Sequence, residues 1–362
     1  MNNKLIINIF KSYLLDREIE ELNDSDLKDL YILSNANKIL PVVSTVLNKN
    51  NINNKSFNDA SYKALIRKEK QKKNIEKLNT LLNGYDYVFF KGTAISKYYK
   101  NDYDRVSSDT DIAVFDKYDE VLDILLHNGY VVTRNDKQEC SLINSSNDFI
   151  DLHSSFTLND TNIDNVLKNA PRNNHYLDIN YEYLFLLYHS KKHLLSGIFD
   201  LRVILDIYYL RDKLNKELSN KLLKDAKLDQ FNDSLNHYLD TLLEKHDYDS
   251  NDEFIESFIE SYTKDEGISN RILINSYNKS RIRYLLSRIF ISYDLLKNEY
   301  PIIKKHKLLT PLYYLIRIIR ILKSNRSTYA INEIRASNKL NKQDLINMHN
   351  NLENIGIKTD KV

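Results

Sequence analysis

The spacing of apolar residues changes twice along the chain, and the two changes divide it into three parts. Over residues 1–82 apolar positions recur every three to four residues, as at Leu27, Leu30, Tyr31 and Leu33, which is the spacing of an amphipathic helix. Residues 36–47 continue it after a break, with Pro41 near a helix start, where the missing N–H of proline is no loss. The polar stretch 48–56 reads as a loop, and residues 60–82 resume helical spacing. The basic run 68–73 inside that segment reads as a solvated helix face.

From residue 83 the period shortens. Runs at 88–90, 112–115, 130–132, 139–143 and 149–153 are brief, largely apolar and bounded by glycine or polar clusters, which predicts strands. Residues 93–99 have the length of a short helix. Residues 118–127 form a longer one, with Val121, Leu122, Leu125 and Leu126 inward, and Asn128-Gly129 closes it as glycine closes many helices. From residue 180 onward the spacing is helical almost throughout, and 181–195 is apolar on so many positions that a buried helix is expected. The predicted fold class is α+β. A small mixed β-sheet core at 83–160 follows an N-terminal helical region at 1–82 and precedes a C-terminal helical domain at 175–362. No dinucleotide-type glycine pattern supports a doubly wound sheet.

Composition narrows this picture without pointing to a partner. In 362 residues, 42% hydrophobic and 28% charged content is that of a globular protein. The net charge of +2 gives no global pull toward nucleic acid or an anionic membrane. The single cysteine, Cys140, excludes an internal disulfide and predicts a reducing, cytoplasmic setting, with the thiol as small apolar filler in a strand. The apolar run near the start is too short for a signal-peptide core, and no window is long enough for a transmembrane span. The 26 tyrosines accompany an excess of Asn, Lys and Ile, so compositional bias explains them more cheaply than base stacking.

Candidate chemistry gathers where the second predicted strand begins. Asp109 and Asp111 flank Thr110, so alternation along a strand turns both carboxylates one way. Two carboxylates that close repel unless a cation lies between them, and hard oxygen ligands on a rigid strand suit Mg²⁺. Upstream, Lys91-Gly92-Thr93 forms a turn where backbone N–H groups can meet a phosphate. Downstream, Asp151 and His153 share a face of another strand, and a third carboxylate is what a two-metal site needs. Alone, an Asp-x-Asp or a Lys-Gly-Thr turn is weak and more often a solvated loop. Together, in this order, they read as phosphoryl or nucleotidyl transfer.

Gly92-Thr93, Asp109-x-Asp111 and Asp151 resemble the core signature of the polymerase-beta-like nucleotidyltransferase superfamily. More narrowly, Lys91-Gly92, the Arg-x-x-x-Asp-x-Asp segment from Arg105 to Asp111, and Asp151-Leu152-His153 resemble an uncharacterised bacterial nucleotidyltransferase group. Residues 36–47 are similar to that group's helix before the catalytic domain, and residues 188–210 to its helical segment after it, so the likeness covers roughly 30–210. Thr93 and Ala94 stand where the wider superfamily carries Gly-Ser, and Ser154 where an aromatic residue is expected. These departures bear on substrate shape and leave the carboxylates intact.

The resemblance implies metal-dependent transfer of an NMP, AMP from ATP as first choice, onto an acceptor hydroxyl. Asp109, Asp111 and Asp151 would be catalytic and would hold Mg²⁺ or Mn²⁺. Lys91, Gly92, Thr93 and Arg105 would bind the nucleoside triphosphate. His153 would orient Asp151 or the acceptor, or be a plain strand residue. His189 and His193, four apart, would line the cleft, bind zinc or serve structure; the helix lacks the Glu of a His-Glu-x-x-His site. Arg202 and Asp206 read most simply as an intrahelical ion pair, and the resemblance puts them on a helix closing the cleft. The basic segment 301–326 would pack its stripe of Leu312, Leu315, Ile316, Ile319 and Leu322 on the core, or meet RNA or a membrane surface. Rival readings are a toxin-like nucleotidyltransferase acting on tRNA or a partner protein, an antibiotic-modifying or secondary-metabolite enzyme, and an inactive binding module of the same fold. The acceptor, whether small molecule, RNA or protein, is left open.

Overall fold

The computed structural model describes residues 4–107, 109–136, 139–157, 160–260, 264–276, 286, 290–293, 296–297, 300–323, 336 and 341–358. Its fold is α+β, with helices before and after one mixed sheet of seven strands. Four helices come first: α1 (Lys4–Leu15), α2 (Asp24–Ala36), α3 (Leu40–Lys49) and α4 (Lys55–Leu81). The start of α4 falls inside the expected loop because Asn54 caps it, its side chain accepting the Ser56 N–H at 3.0 Å.

The sheet order is β3-β4-β5-β2-β1-β7-β6. Its strands are β1 (Tyr87–Phe89), β2 (Thr110–Val114), β3 (Val131–Asn135), β4 (Glu139–Ile143), β5 (Phe149–His153), β6 (Arg172–Asn173) and β7 (Tyr176–Leu177). At the centre β2 runs antiparallel to β1 and parallel to β5. The strands expected from the sequence therefore lie side by side, with β6 and β7 added at one end. Between them come α5 (Gly92–Ile95), continued by a 3₁₀ turn (Ser96–Tyr98), then α6 (Tyr118–His127) and α7 (Thr161–Lys168). Phe89, Ile112, Cys140, Leu142, Ile150 and Leu152 face one side of the sheet, where they pack with Leu78 of α4 and Leu125 of α6. Edge strand β3 is exposed along its whole length, and its register breaks between Val132 and Arg134.

One face of α4 departs from expectation. Lys68 lies in the basic run read as solvated, yet it is buried. It shares a stripe with Gln71, Asn74 and Leu78, spaced three to four residues apart. Leu78 sits in the core, Asn74 accepts the Tyr130 hydroxyl, and Lys68 donates to Ser96 Oγ at 2.6 Å. The helix therefore keeps this stripe inward from Lys68 to Leu78, carrying lysine with it.

After β7 the chain is helical: α8 (Ile179–Leu195), α9 (Leu201–Leu210), α10 (Lys216–Asp225), α11 (Asp229–Leu242), α12 (Ser250–Glu260), α13 (Lys264–Ser276), α14 (Thr310–Lys323) and α15 (Lys342–Asn354). As expected, α8 is largely buried, through Tyr183, Leu184, Phe185, Leu186 and Leu187. None of the described helices is long and apolar enough to cross a membrane.

The chain divides into two compact units. The first is Met1–Lys191 with Phe199–Ile255 and contains the whole sheet. The second is Lys192–Ile198 with Glu256–Val362. Inside the second, α14 is turned differently from the prediction. Leu312, Leu315, Ile316 and Ile319 are 38–58% exposed. The less exposed positions are Tyr313, Tyr314, Arg317 and Ile318. The Tyr314 hydroxyl donates to the Ile291 carbonyl, and Phe290 meets its ring edge-on. Aromatic contacts set the rotation of the helix, so the aliphatic stripe is not laid on the core. Residues 324–331, including Arg326, lie outside the described residues.

Candidate active site

Register brings the predicted carboxylates together. On parallel neighbours β2 and β5, Asp111 stands opposite Asp151 and Ala113 opposite His153. Because faces alternate, Ile112 and Leu152 go to the core while Asp111, Asp151 and His153 share the other face. Their ligand-capable atoms all lie within 4.8 Å of one another. On β4, Ser141 is the neighbour of Asp151 and Glu139 the neighbour of His153. Glu139 Oε2 lies 3.8 Å from His153 Nδ1, and His153 Nε2 lies 3.1 Å from Asp111 Oδ1.

Asp109 sits one residue before β2 and is held through its backbone. Gln71 Nε2 of α4 donates to its carbonyl at 2.7 Å, and Ser107 Oγ is 3.1 Å from both that carbonyl and Oδ1. Burial, followed by the charges of Asp111 and Asp151, pushes the Asp109 carboxyl up to about 6, with Lys91 and Ser107 offsetting part of the rise. Asp111 goes the other way. Burial disfavours its charge too, but Lys91 and His153 more than compensate and hold it well below the usual carboxylate range.

The turn after β1 supplies that lysine. Lys91 has φ +54° and ψ −131°, a conformation that non-glycine residues adopt at a cost, and it caps α5, whose Ile95 N–H bonds back to the Lys91 carbonyl. Its ammonium lies 2.6 Å from Asp111 Oδ1. Although burial opposes its charge, Asp111 and Asp109 raise the Lys91 pKa overall. The turn has no room for a side chain at Gly92. A Cβ there would lie 2.7 Å from Arg105 Nη1 and 2.8 Å from Ser107 Oγ. Thr93 is buried, with its hydroxyl 3.4 Å from Gln71 Nε2.

Arg105 leads away from the carboxylates. Its Nε and Nη2 donate to the two oxygens of Asp206 on α9 at 3.0 and 2.9 Å, and the Tyr99 hydroxyl donates to the same carboxylate. The expected intrahelical pair between Arg202 and Asp206 is therefore replaced. Asp206 is taken by the planar fork of Arg105, which matches a carboxylate in two bonds. Arg202 instead donates to the Val106 carbonyl at 3.0 Å. Between them the two α9 residues fasten the loop that leads to Asp109.

His189 stacks on Phe185, which meets Phe90 edge-on, and Phe90 meets His153 edge-on. It thus stands two rings behind the carboxylate face. His193 belongs to the second unit. Among the described residues, neither histidine is part of a grouping able to hold a metal.

Sequence reasoning missed Lys68, Gln71 and Glu182. For the first two a signal existed, since both fall on the stripe that ends in Leu78. Glu182 of α8 is fully buried, and neither of its oxygens has a hydrogen-bond partner among the described residues. Burial pushes its carboxyl up to about 8, and the Lys91 backbone, Lys97 and Arg105 pull it back only in part.

A cleft beside Asp109 is lined by Arg67, Lys70 and Gln71 of α4 on one side and by Ser107 and Asn147 on another. Acidic residues in register on two strands, with a buried cation within reach, make up a site suited to a phosphate ester and a divalent ion.

A family model described as uncharacterised nucleotidyltransferase matches residues 23–242. No curated protein and no solved structure matches the chain. The match covers more than half of the sequence and contains every residue of the carboxylate face, so the chain belongs to this nucleotidyltransferase family.

Proposed function

With membership of a nucleotidyltransferase family as the premise, we propose that the chain transfers a nucleotidyl group from a nucleoside triphosphate, ATP as first choice, to an acceptor hydroxyl. The observation that carries this reading is the register of Asp111 against Asp151, with Asp109 two residues upstream. Asp109, Asp111 and Asp151 would hold Mg²⁺ or Mn²⁺; the donor set fits, because burial and then the charges of Asp111 and Asp151 push the Asp109 carboxyl up, and a cation would relieve it. The ion supplies charge neutralisation at the phosphates and a lowered pKa for the attacking hydroxyl.

In the transfer, the acceptor oxygen bonds to the α-phosphorus, the bond to the bridging β-phosphate oxygen breaks, and pyrophosphate leaves. Asp151, half-buried beside Asp111, takes the hydroxyl proton. His153 steadies Asp111 through its Nε2 contact. Gln71 and Ser107 fix the Asp109 backbone and carboxylate. Arg67 and Lys70 give the triphosphate a basic wall, as cations near a phosphoryl group favour transfer. Arg105, sealed against Asp206, serves by holding the loop; this revises its expected role in binding the nucleoside triphosphate.

The test is incubation with each labelled NTP and Mg²⁺, with and without total RNA and cell extract, comparing the wild type with Asp109→Ala/Asp111→Ala. The expected result is label on one acceptor class in the wild type and a loss of about a thousandfold in the variant, since metal contacts supply several kcal/mol of transition-state stabilisation. Label on RNA, protein or a small molecule names the acceptor. No label in any arm, together with no calorimetric binding of ATP·Mg²⁺ to either protein, would overturn the enzyme reading and leave a binding module.

A further inference from the structure

A second grouping of one histidine and two aspartates lies in the same unit, away from the sheet. His237 is on α11; Asp249 precedes α12, and Asp252 is in its first turn. One atom from each, and all such atoms pairwise, fall within 4.8 Å. Capping explains part of the arrangement. Asp249 Oδ1 accepts the N–H groups of Asn251 and Asp252 at 2.8 and 2.9 Å, and Asp252 Oδ2 accepts the Asp249 N–H and the Thr241 hydroxyl.

Capping leaves three atoms over. His237 Nε2 and Asp252 Oδ1 are buried atoms with no hydrogen-bond partner among the described residues, and Asp252 as a whole is 0% exposed. The third, Asp249 Oδ2, faces His237 Nε2 at 3.4 Å, and Asp252 Oδ2 lies 3.7 Å from the same nitrogen. These separations are too long for good hydrogen bonds. The His237–Asp249 separation matches a ligand-to-ligand edge of a tetrahedral zinc site, roughly 3.4 Å for metal–ligand bonds of about 2.1 Å; Asp252 Oδ2 already accepts two hydrogen bonds, and Oδ1 of the same carboxylate is the oxygen left to bind. One imidazole and two carboxylates, with no thiolate, suit zinc better than Mg²⁺ or Ca²⁺, which prefer all-oxygen shells.

We propose that His237, Asp249 and Asp252 bind a zinc ion that clips the end of α11 to the start of α12. Asp249 is exposed, so water completes the shell on the solvent side. The ion gives the buried Asp252 carboxylate the positive charge that its surroundings otherwise take only from an imidazole. Because the folded chain alone assembles the three ligands, zinc raises stability by mass action.

The experiment titrates Co²⁺, then Zn²⁺, into the purified full chain, reading the visible d–d absorption of tetrahedral Co²⁺ and the Zn²⁺-dependent rise in Tm. The variants are His237→Gln, Asp249→Asn and, as a control for the strand-borne site, His153→Gln. Asn is as good a helix cap as Asp, so Asp249→Asn keeps the fold while removing a charged ligand. Both signals are expected in the wild type and in His153→Gln. Zinc affinity should fall at least about a hundredfold in His237→Gln and in Asp249→Asn. Signals lost only in His153→Gln, signals unchanged in every variant, or no metal binding by the wild type would each overturn the assignment.

Discussion

Lys91 with Asp111 and Arg105 with Asp206 are two buried ion pairs on either side of Gly92, and they are built for different purposes. Lys91 meets Asp111 through one contact, with the lysine side chain still 22% exposed. Arg105 meets Asp206 through two, and the side chains are only 7% and 1% exposed. A single lysine contact at the edge of a cleft can be exchanged for another cation, because an ammonium is a point charge on a flexible stem. A bidentate, sealed arginine pair cannot be exchanged without leaving a charge in the interior. The first pair keeps Asp111 ionised, as the proposed metal site requires; the second fixes the loop that leads to Asp109. The proposed catalytic carboxylates and the scaffold that aims them are thus stabilised by the same chemistry at two levels of exposure.

The contrast breaks most directly at Asp206. Asp206→Ala strands the Arg105 guanidinium and should lower stability by about 3–5 kcal/mol in urea unfolding. Replacing both partners, Arg105→Met with Asp206→Leu, should return more than half of that. A cost below about 1 kcal/mol for Asp206→Ala would mean that the sealed pair is not what holds the loop.

Glu182 lies among the charges of both pairs and is claimed by neither. Burial pushes its carboxyl up to about 8 in the folded chain, above the usual carboxylate range. Between about pH 5 and 8 the folded chain therefore keeps a proton that the unfolded chain has released. Stability falls as pH rises through that window, by about 2–4 kcal/mol from this group. Glu182→Gln should flatten the fall, visible as a Tm at pH 8 raised relative to wild type and a Tm at pH 5 little changed. Parallel pH profiles for the two proteins would show that Glu182 is ionised in the fold.

The smallest effect is expected at Lys91. Lys91→Met should cost about 1–2 kcal/mol, less than Asp206→Ala, since it removes one charged hydrogen bond at a partly open position. Mn²⁺ should raise the Tm of Lys91→Met by more than it raises that of the wild type, by supplying Asp111 with another cation, and it should raise that of Asp206→Ala by no more than the wild type. Rescue of both, or of neither, would erase the distinction between an exchangeable and a sealed pair.

What could be read from the chain follows the range over which its signals act. Period-two alternation acts within five residues, so the strands, and the shared face of Asp151 and His153, were legible. The contact of Asp111 with Asp151 needed only that the two strands be neighbours. Arg105 and Asp206 are 101 positions apart, and helix spacing near Asp206 suggested the closer Arg202 instead. Lys68 and Gln71 were hidden by charge, because a basic run reads as solvated unless the stripe through Leu78 is followed. On α14 both the aliphatic and the aromatic positions have helical spacing, and only packing chooses between them. His237, Asp249 and Asp252 form no motif, since a helix end and the next helix start are brought together by the turn between them.

The broken register of β3 also bears on how molecules of this chain treat one another. A terminal strand, exposed along its length and carrying Val131 and Val132 on its surface, offers a free ladder to any second copy that arrives edge-on. The bulge between Val132 and Arg134 twists that ladder out of line, and Arg134, paired with Asp136, sets charge beside it. A second copy arriving at that edge meets a twisted, charged ladder instead of a straight one, and a single extra residue makes the difference.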